Sequence, residues 1–250
     1  MKRGRKMLTI ILIITTILVI ILSGIFAFLG RSQTLSIKSI ENVSDNLYVF
    51  RLEKPNNMTW KAGSYMKVTA PDIEDNKENN RWLTIASNPD ENEIVFLTRN
   101  SGSKFKQKLT NLQIGEKVNV SWLGKNLEVV GDQEPIVCFA SDVGIAAIRP
   151  IVKEWSSKRS IILNHLDKGV KVFDKELTML SNKEKDFTYE TSESIEQSRE
   201  ILKKIVNKYG NRAVYLLSGK PDDVDTMKNF LESAGISKEK IKIDSFKGLK

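Results

Sequence analysis

Few residues in this chain are equipped for chemistry, and their types narrow what that chemistry is. Cys138 is the only cysteine and His165 the only histidine, so an internal disulfide, a Cys-rich zinc site and a cysteine-ligated iron-sulfur cluster are excluded. No Gly-x-x-x-x-Gly-Lys-Ser/Thr, His-Glu-x-x-His or Gly-x-Ser-x-Gly motif is present, which leaves kinase and hydrolase readings without support, and no metal is expected. What remains are groups suited to anions. Arg81 offers a planar fork of donors with permanent charge, and Thr84 follows with a hydroxyl. Ser103, Lys104, Phe105 and Lys106 open a helix, where unpaired backbone N–H groups and lysine charge favour an anion. Gly144, ahead of Ile145 and Ala146, permits close backbone approach. Taken singly, Arg81 and Thr84 read equally as a strand-end charge and a β-former. His165 reads as a solvated loop residue and Cys138 as core. Asp222 and Asp223 read as acids at the positive end of a helix dipole.

Two kinds of pattern must position these groups. Between Thr34 and about Gly131, short β-branched and aromatic runs recur, such as Leu47 to Leu52, Tyr65 to Thr69, Arg81 to Ala86, Glu93 to Thr98 and Lys117 to Trp122. Turn clusters such as Asn88-Pro89-Asp90 separate them, which predicts an antiparallel β-barrel or sandwich over 34–131. After Pro135 the apolar runs Ile136–Ala140, Ser160–Leu163 and Ala213–Leu217 alternate with helical stretches at Ala146–Trp155, Ser194–Lys208 and Asp222–Ala234. That alternation predicts an α/β domain with a parallel sheet over 135–250. Ser194 with Gln197 forms a capping box, and Gly210 and Gly235 stand where helices end.

Charge bounds the partners. Net charge is +8, but Lys2, Arg3, Arg5 and Lys6 supply four of those charges in a basic tail at 1–6. Beyond it, lysines are scattered among acids rather than gathered in a basic stripe with interleaved aromatics, so no nucleic acid is expected. From Met7 to Leu29 the chain carries no charge over 23 residues, about 35 Å of helix against a hydrocarbon core of roughly 30 Å. The run exceeds a signal peptide's apolar region, so the expectation is a single-pass transmembrane helix at 7–29 held in a lipid bilayer. Only Arg31 and Lys38 follow it closely, which favours a cytoplasmic N-terminus and leaves the side of the remainder open.

The stretch Arg81-Trp82-Leu83-Thr84-Ile85-Ala86-Ser87-Asn88-Pro89 resembles the flavin signature of the ferredoxin–NADP reductase superfamily. Further segments fall in the family's order: Trp60 to Tyr65, Ser103 to Leu109, Ile114 to Val118, Leu217 to Pro221 and Ile243 to Leu249. The resemblance covers the chain from about Ser36 onward and implies a barrel that binds FAD followed by a nucleotide-binding domain. It assigns the pyrophosphate to Arg81 and to Ser103 through Lys106, with Trp82, Leu83 and Thr84 beside the flavin ring. Leu83 stands where the family carries an aromatic. NADH or NADPH would dock at Gly144, Ile145 and Ala146, where the family's paired glycines are replaced by Ser141 and Asp142. Asp142 would either repel a pyrophosphate or cap the following helix. Ser218 occupies the place of a family cysteine near the nicotinamide, and reads equally as a strand-end serine. Phe246 resembles a C-terminal aromatic that shields the flavin, and reads equally as a core residue. Thr84 and Ser218 are thus the candidate catalytic residues. The implied activity is a membrane-anchored flavin-dependent oxidoreductase passing electrons from NAD(P)H through FAD to an unnamed acceptor, with a membrane protein among the candidates. The alternative is an extracytoplasmic flavoprotein or interaction module with a degenerate nicotinamide site.

Overall fold

The computed structural model describes residues 2–29, 32–44, 46–75, 77–125, 127–129, 131 and 133–246. It opens with helix α1 (Lys2–Leu29). The membrane anchor expected at 7–29 is not found: among the described residues, no helix is long and apolar enough to cross a membrane. Single-pass localisation, the bilayer as a partner and the orientation argued from flanking charge are corrected with it. The side chains of the basic tail, Arg31 among the flanking charges and the closing residues 247–250 lie outside the described residues.

The antiparallel part contains β1 (Gln33–Ser44), β2 (Leu47–Glu53), β3 (Ser64–Thr69), β4 (Asn80–Thr84), β5 (Glu93–Arg99) and β6 (Lys117–Lys125). These strands make one six-stranded sheet in the order β4-β3-β6-β1-β2-β5. Period-two alternation sets its faces: in β3, Ser64, Met66 and Val68 are buried while Tyr65, Lys67 and Thr69 are half-buried. The two edge strands then meet. Ile85, just past β4, bridges Phe96 of β5, and the Ala86 N–H donates to the Val95 carbonyl at 2.7 Å. The sheet therefore closes on itself, which removes the open edges that invite aggregation. Phe50 and Phe96 stack inside it with centroids 4.8 Å apart. One end is plugged by the short helix α2 (Lys104–Thr110), which buries Phe105 and Leu109 completely.

The parallel part has β7 (Ile136–Ser141), β8 (Ile161–Leu166), β9 (Phe187–Ser192), β10 (Val214–Gly219) and β11 (Ile241–Ser245) in the order β11-β10-β7-β8-β9. Its helices are α3 (Ile145–Trp155), α4 (Asp174–Lys183), α5 (Ile195–Tyr209) and α6 (Pro221–Ser233). Every residue of β7, β8 and β10 is buried, as strands covered on both faces require. Two features of the helices match expectation. The Ser194 hydroxyl accepts the Gln197 N–H to start α5, and Gly210, at φ 50°, ends it. One apolar cluster joins α3, α4 and the sheet to Leu47, Val49, Val95 and Leu97 of the barrel, so the two sheets share a seam. The strand order places β8 on one side of β7 and β10 on the other. The chain thus makes a switch point at the carboxyl ends of β7 and β10, where open α/β sheets bind ligands.

Candidate functional site

At that switch point, between barrel and parallel sheet, lies a cleft of about 660 Å³. Its barrel wall comes from β3, β4, β5 and the start of α2, and its other wall from Val143, Ala146 and the end of β11. Register explains the barrel wall. Tyr65 and Thr84 are cross-strand partners in β3 and β4, and both face the cleft with Leu83 and Trp82. Tyr65 lies over Gly124 of β6, where a Cβ would stand 2.3 Å from its ring. Only glycine accommodates that packing, which leaves the Tyr65 ring edge-on to Trp82 with centroids 5.2 Å apart.

Arg81, Arg99 and Lys106 supply the charge of this wall, and Arg81 and Lys106 stand together. Arg81 donates to the Asn80 carbonyl at 2.6 Å and its guanidinium lies 5.6 Å from the ring centroid of buried Phe105. The Lys106 ammonium donates to the Thr98 hydroxyl. Neither Arg81 nor Lys106 has an ion-pair partner among the described residues. Burial first, and then the Arg81 charge, push Lys106 down to about 8. A bound anion would relieve both effects. The rest of α2 behaves otherwise. Ser103 caps the helix through its hydroxyl, Phe105 is in the barrel core, and exposed Lys104 pairs with Glu78 at 2.7 Å. The positive charge that meets no acid on this wall therefore sits on the Arg81 and Lys106 side chains rather than at the helix start.

The sheet wall is built differently. Gly144 packs against β10, where a Cβ would meet the Ser218 carbonyl oxygen at 2.2 Å, and Gly219, at φ 141°, packs in the same way against Ser141. The two strand ends are thus pressed together. Ala146 lines the cleft, while Gly144 and Ile145 are buried behind it. Asp142, on left-handed backbone at φ 54°, neither caps α3 through its side chain nor faces open space. Both its carboxylate oxygens accept from the Arg99 Nε at 2.7 Å, and the Lys220 ammonium stands 3.5 Å away. Burial alone would lower the Arg99 pKa, but the bond to Asp142 and the charges of Asp142 and Asp167 raise it. Asp142 therefore joins barrel to sheet.

Of the other expected residues, Phe246 reaches the cleft, tethered by its N–H to the Gly219 carbonyl at 3.0 Å. Ser218 is fully buried, outside the cleft lining, and its hydroxyl has no hydrogen-bond partner. His165 is not a solvated loop residue: it sits within β8, fully buried, held by the Tyr189 hydroxyl at 3.2 Å. Burial lowers its pKa to about 4, so it is neutral at ordinary pH. Cys138 is core as expected, its thiol pushed up by burial. Tyr65, Thr98, Arg99, Asp244 and Ser245 line the cleft without having been singled out as site residues. Asp244 and Ser245 pair in register with Ser218 and Gly219, a relation that only the strand order creates.

No family model matches the chain, and no curated protein matches it. Solved structures do share its fold. The ferredoxin NADP+ reductase from Neisseria gonorrhoeae with bound FAD and NADP aligns with a TM-score of 0.70 at 14% identity, covering 86% of this chain and 99% of that one. Phthalate dioxygenase reductase, described as modular for electron transfer from pyridine nucleotides to an iron-sulfur centre, aligns at 0.70 and 17% identity, covering 86% and 68%. The CS-b5R domains of human Ncb5or in the NAD+ form align at 0.68 and 18% identity, covering 86% and 69%. At such identities the likeness is one of fold.

Proposed function

We propose that this chain is an FAD-dependent oxidoreductase that takes electrons from NADH or NADPH and delivers them to a separate acceptor. The observation that carries this reading is the pair Arg81 and Lys106, two cations without ion-pair partners among the described residues, on the barrel wall of a cleft that also holds Thr84 and Tyr65. Three neighbours of the same fold are described with FAD, NADP, NAD+ or pyridine nucleotides, which supports the choice of cofactors. FAD, when bound, supplies a ring that accepts a hydride and releases electrons singly or in pairs. Arg81 and Lys106 would hold its pyrophosphate through charge-assisted hydrogen bonds. The Thr84 hydroxyl would bond the ring's polar edge, and Leu83 and Tyr65 would cover apolar surface in place of the missing signature aromatic. Phe246 would screen the ring from water until the nicotinamide arrives. Ser218, with its unpartnered hydroxyl, would serve the nicotinamide side.

The test is the visible spectrum of the purified full chain before and after anaerobic NADH or NADPH. A flavin spectrum that bleaches with one nucleotide is the expected result and names the donor. A chain that gains no flavin on reconstitution would instead support an interaction module built on the same fold. A flavin bleached by dithionite but by neither nucleotide would leave a relay that does not use NAD(P)H.

A further inference from the structure

The loop after β7 contains the feature that the proposed activity least explains. In a site meant for a dinucleotide, the first residues beyond this strand should leave room and positive charge for phosphates. Here Arg99, from the last position of β5, and Lys220, from the residue after β10, converge from two different sheets on one point. That point is held by the chain's own carboxylate. Asp142 is 6% exposed, takes both of its short bonds from Arg99, and adopts a φ of 54°, a region that side chains other than Asn and Asp rarely visit. Its neighbour is fastened too, since the Lys220 N–H donates to the Ser141 hydroxyl at 3.0 Å. An ordinary helix cap accounts for none of this, because the Asp142 carboxylate makes no bond to the α3 N–H groups.

Resting on the reading above that NAD(P)H docks at this edge, we infer that Asp142 is a gate on nucleotide entry. Its carboxylate occupies the place of a nucleotide phosphate between Arg99 and Lys220 and must release them before a dinucleotide can dock. The exchange is of like for like: one anion leaves two cations and another takes them, so the free chain keeps no unpaired charge at the seam. A purely architectural salt bridge would be lost with Asp142 and leave nucleotide affinity unmoved. A gate would give the opposite sign, with tighter binding once the competitor is gone.

The experiment compares the full chain with Asp142→Asn and Asp142→Gly by calorimetric titration with NAD+ and with NADP+, while flavin content is read separately from the visible spectrum. The glycine variant guards against misfolding, because glycine suits the left-handed backbone at this position. The gate requires that at least one nucleotide binds about tenfold more tightly to both variants. Adding Arg99→Gln to Asp142→Asn should remove that gain. Affinity unchanged or weakened in folded variants would overturn the gate, and it would leave the flavin reading intact if the chain still carries flavin that dithionite bleaches. Absence of flavin from every chain would sink the proposed function, while the titrations would still decide the gate.

Discussion

Two ion clusters join the barrel to the parallel sheet, and they are built to opposite specifications. At one, Arg149 of α3 donates to both oxygens of Glu91 at 3.0 Å, to Glu176 at 3.0 Å and to the Ala86 carbonyl at 2.6 Å, with its guanidinium 4.7 Å from the Phe173 ring centroid. Only 6% of that side chain is exposed. At the other, a single carboxylate serves two cations beside an open cleft. The first cluster sets Arg149 and Lys153 against Glu91 and Glu176, two cations to two carboxylates, with the Arg149 guanidinium buried at its centre. The second sets two cations, Arg99 and Lys220, on the carboxylate of Asp142, and Arg99 also lines the cleft. Position and charge balance together separate a joint from a contact that can be exchanged.

The largest effect that would test this contrast is Arg149→Met. Removing the buried guanidinium leaves Glu91 and the partly exposed Glu176 with Lys153, 3.3 and 3.4 Å away, as their remaining cation among the described residues. Urea unfolding should show a loss of about 3 kcal/mol, as for one partner removed from a buried pair. Nucleotide affinity of the folded fraction should not change. A fall in affinity as large as the fall in stability would mean that both clusters act on the ligand and that the contrast is false.

Next in size is Arg81→Met, which sharpens the comparison by testing a cation that has no acid to leave behind. Charge-assisted hydrogen bonds contribute about 1.5–3 kcal/mol, so flavin affinity measured by fluorescence quenching should fall roughly 10- to 100-fold. Thermal stability of the flavin-free chain should hold. Loss of stability without loss of flavin would return Arg81 to a strand-end charge.

Lys106 gives a smaller effect with a distinctive pH signature. Its folded pKa of about 8 lies below the ordinary value of 10.5, so between those limits the unfolded chain binds more protons than the folded one. Stability contributed by this group therefore rises with pH across that window and is lost as pH falls through about 8. Anion binding runs the other way, since it needs the charged ammonium and weakens as pH rises. Melting curves and flavin titrations between pH 7 and about 10 should slope oppositely, and Lys106→Met should flatten both. Parallel slopes would mean that Lys106 is not part of the anion site.

How much of this was legible beforehand follows from the range of each interaction. The strands of the barrel, the α5 capping box and the glycine at its end are local patterns, and they were readable as such. Within 169–193, α4 and β9 carry no strong period: α4 buries only Leu177 along its length, and three of the six positions of β9 are exposed. Arg99 illustrates the limit for the site. A basic residue at the end of an apolar strand reads as a solubilising charge, and only its partner 43 positions away gives it meaning. His165 shows the same limit, since the apolar run closes at Leu163, three residues before β8 ends at Leu166, and a buried strand position reads there as a loop. The anchor at 7–29 rests on an uncharged run alone, and among the described residues no helix is long and apolar enough to cross a membrane.

The smallest effect is the one that separates a group kept for the ligand from one kept for the fold. Ser218 buries a hydroxyl that bonds to nothing, and an unsatisfied buried polar group costs about 1–3 kcal/mol. Ser218→Ala replaces it with a methyl in a space already shaped for one more atom, so the thermal midpoint should rise by an amount equivalent to about 1 kcal/mol, offset in part by the small void left behind. If the hydroxyl is retained for the nicotinamide, the same variant should reduce its flavin several-fold more slowly with NADH or NADPH, at unchanged rate with dithionite. A more stable chain with an unchanged nicotinamide rate would strip Ser218 of its role and confine the chemistry of this edge to Asp142, Arg99 and Lys220.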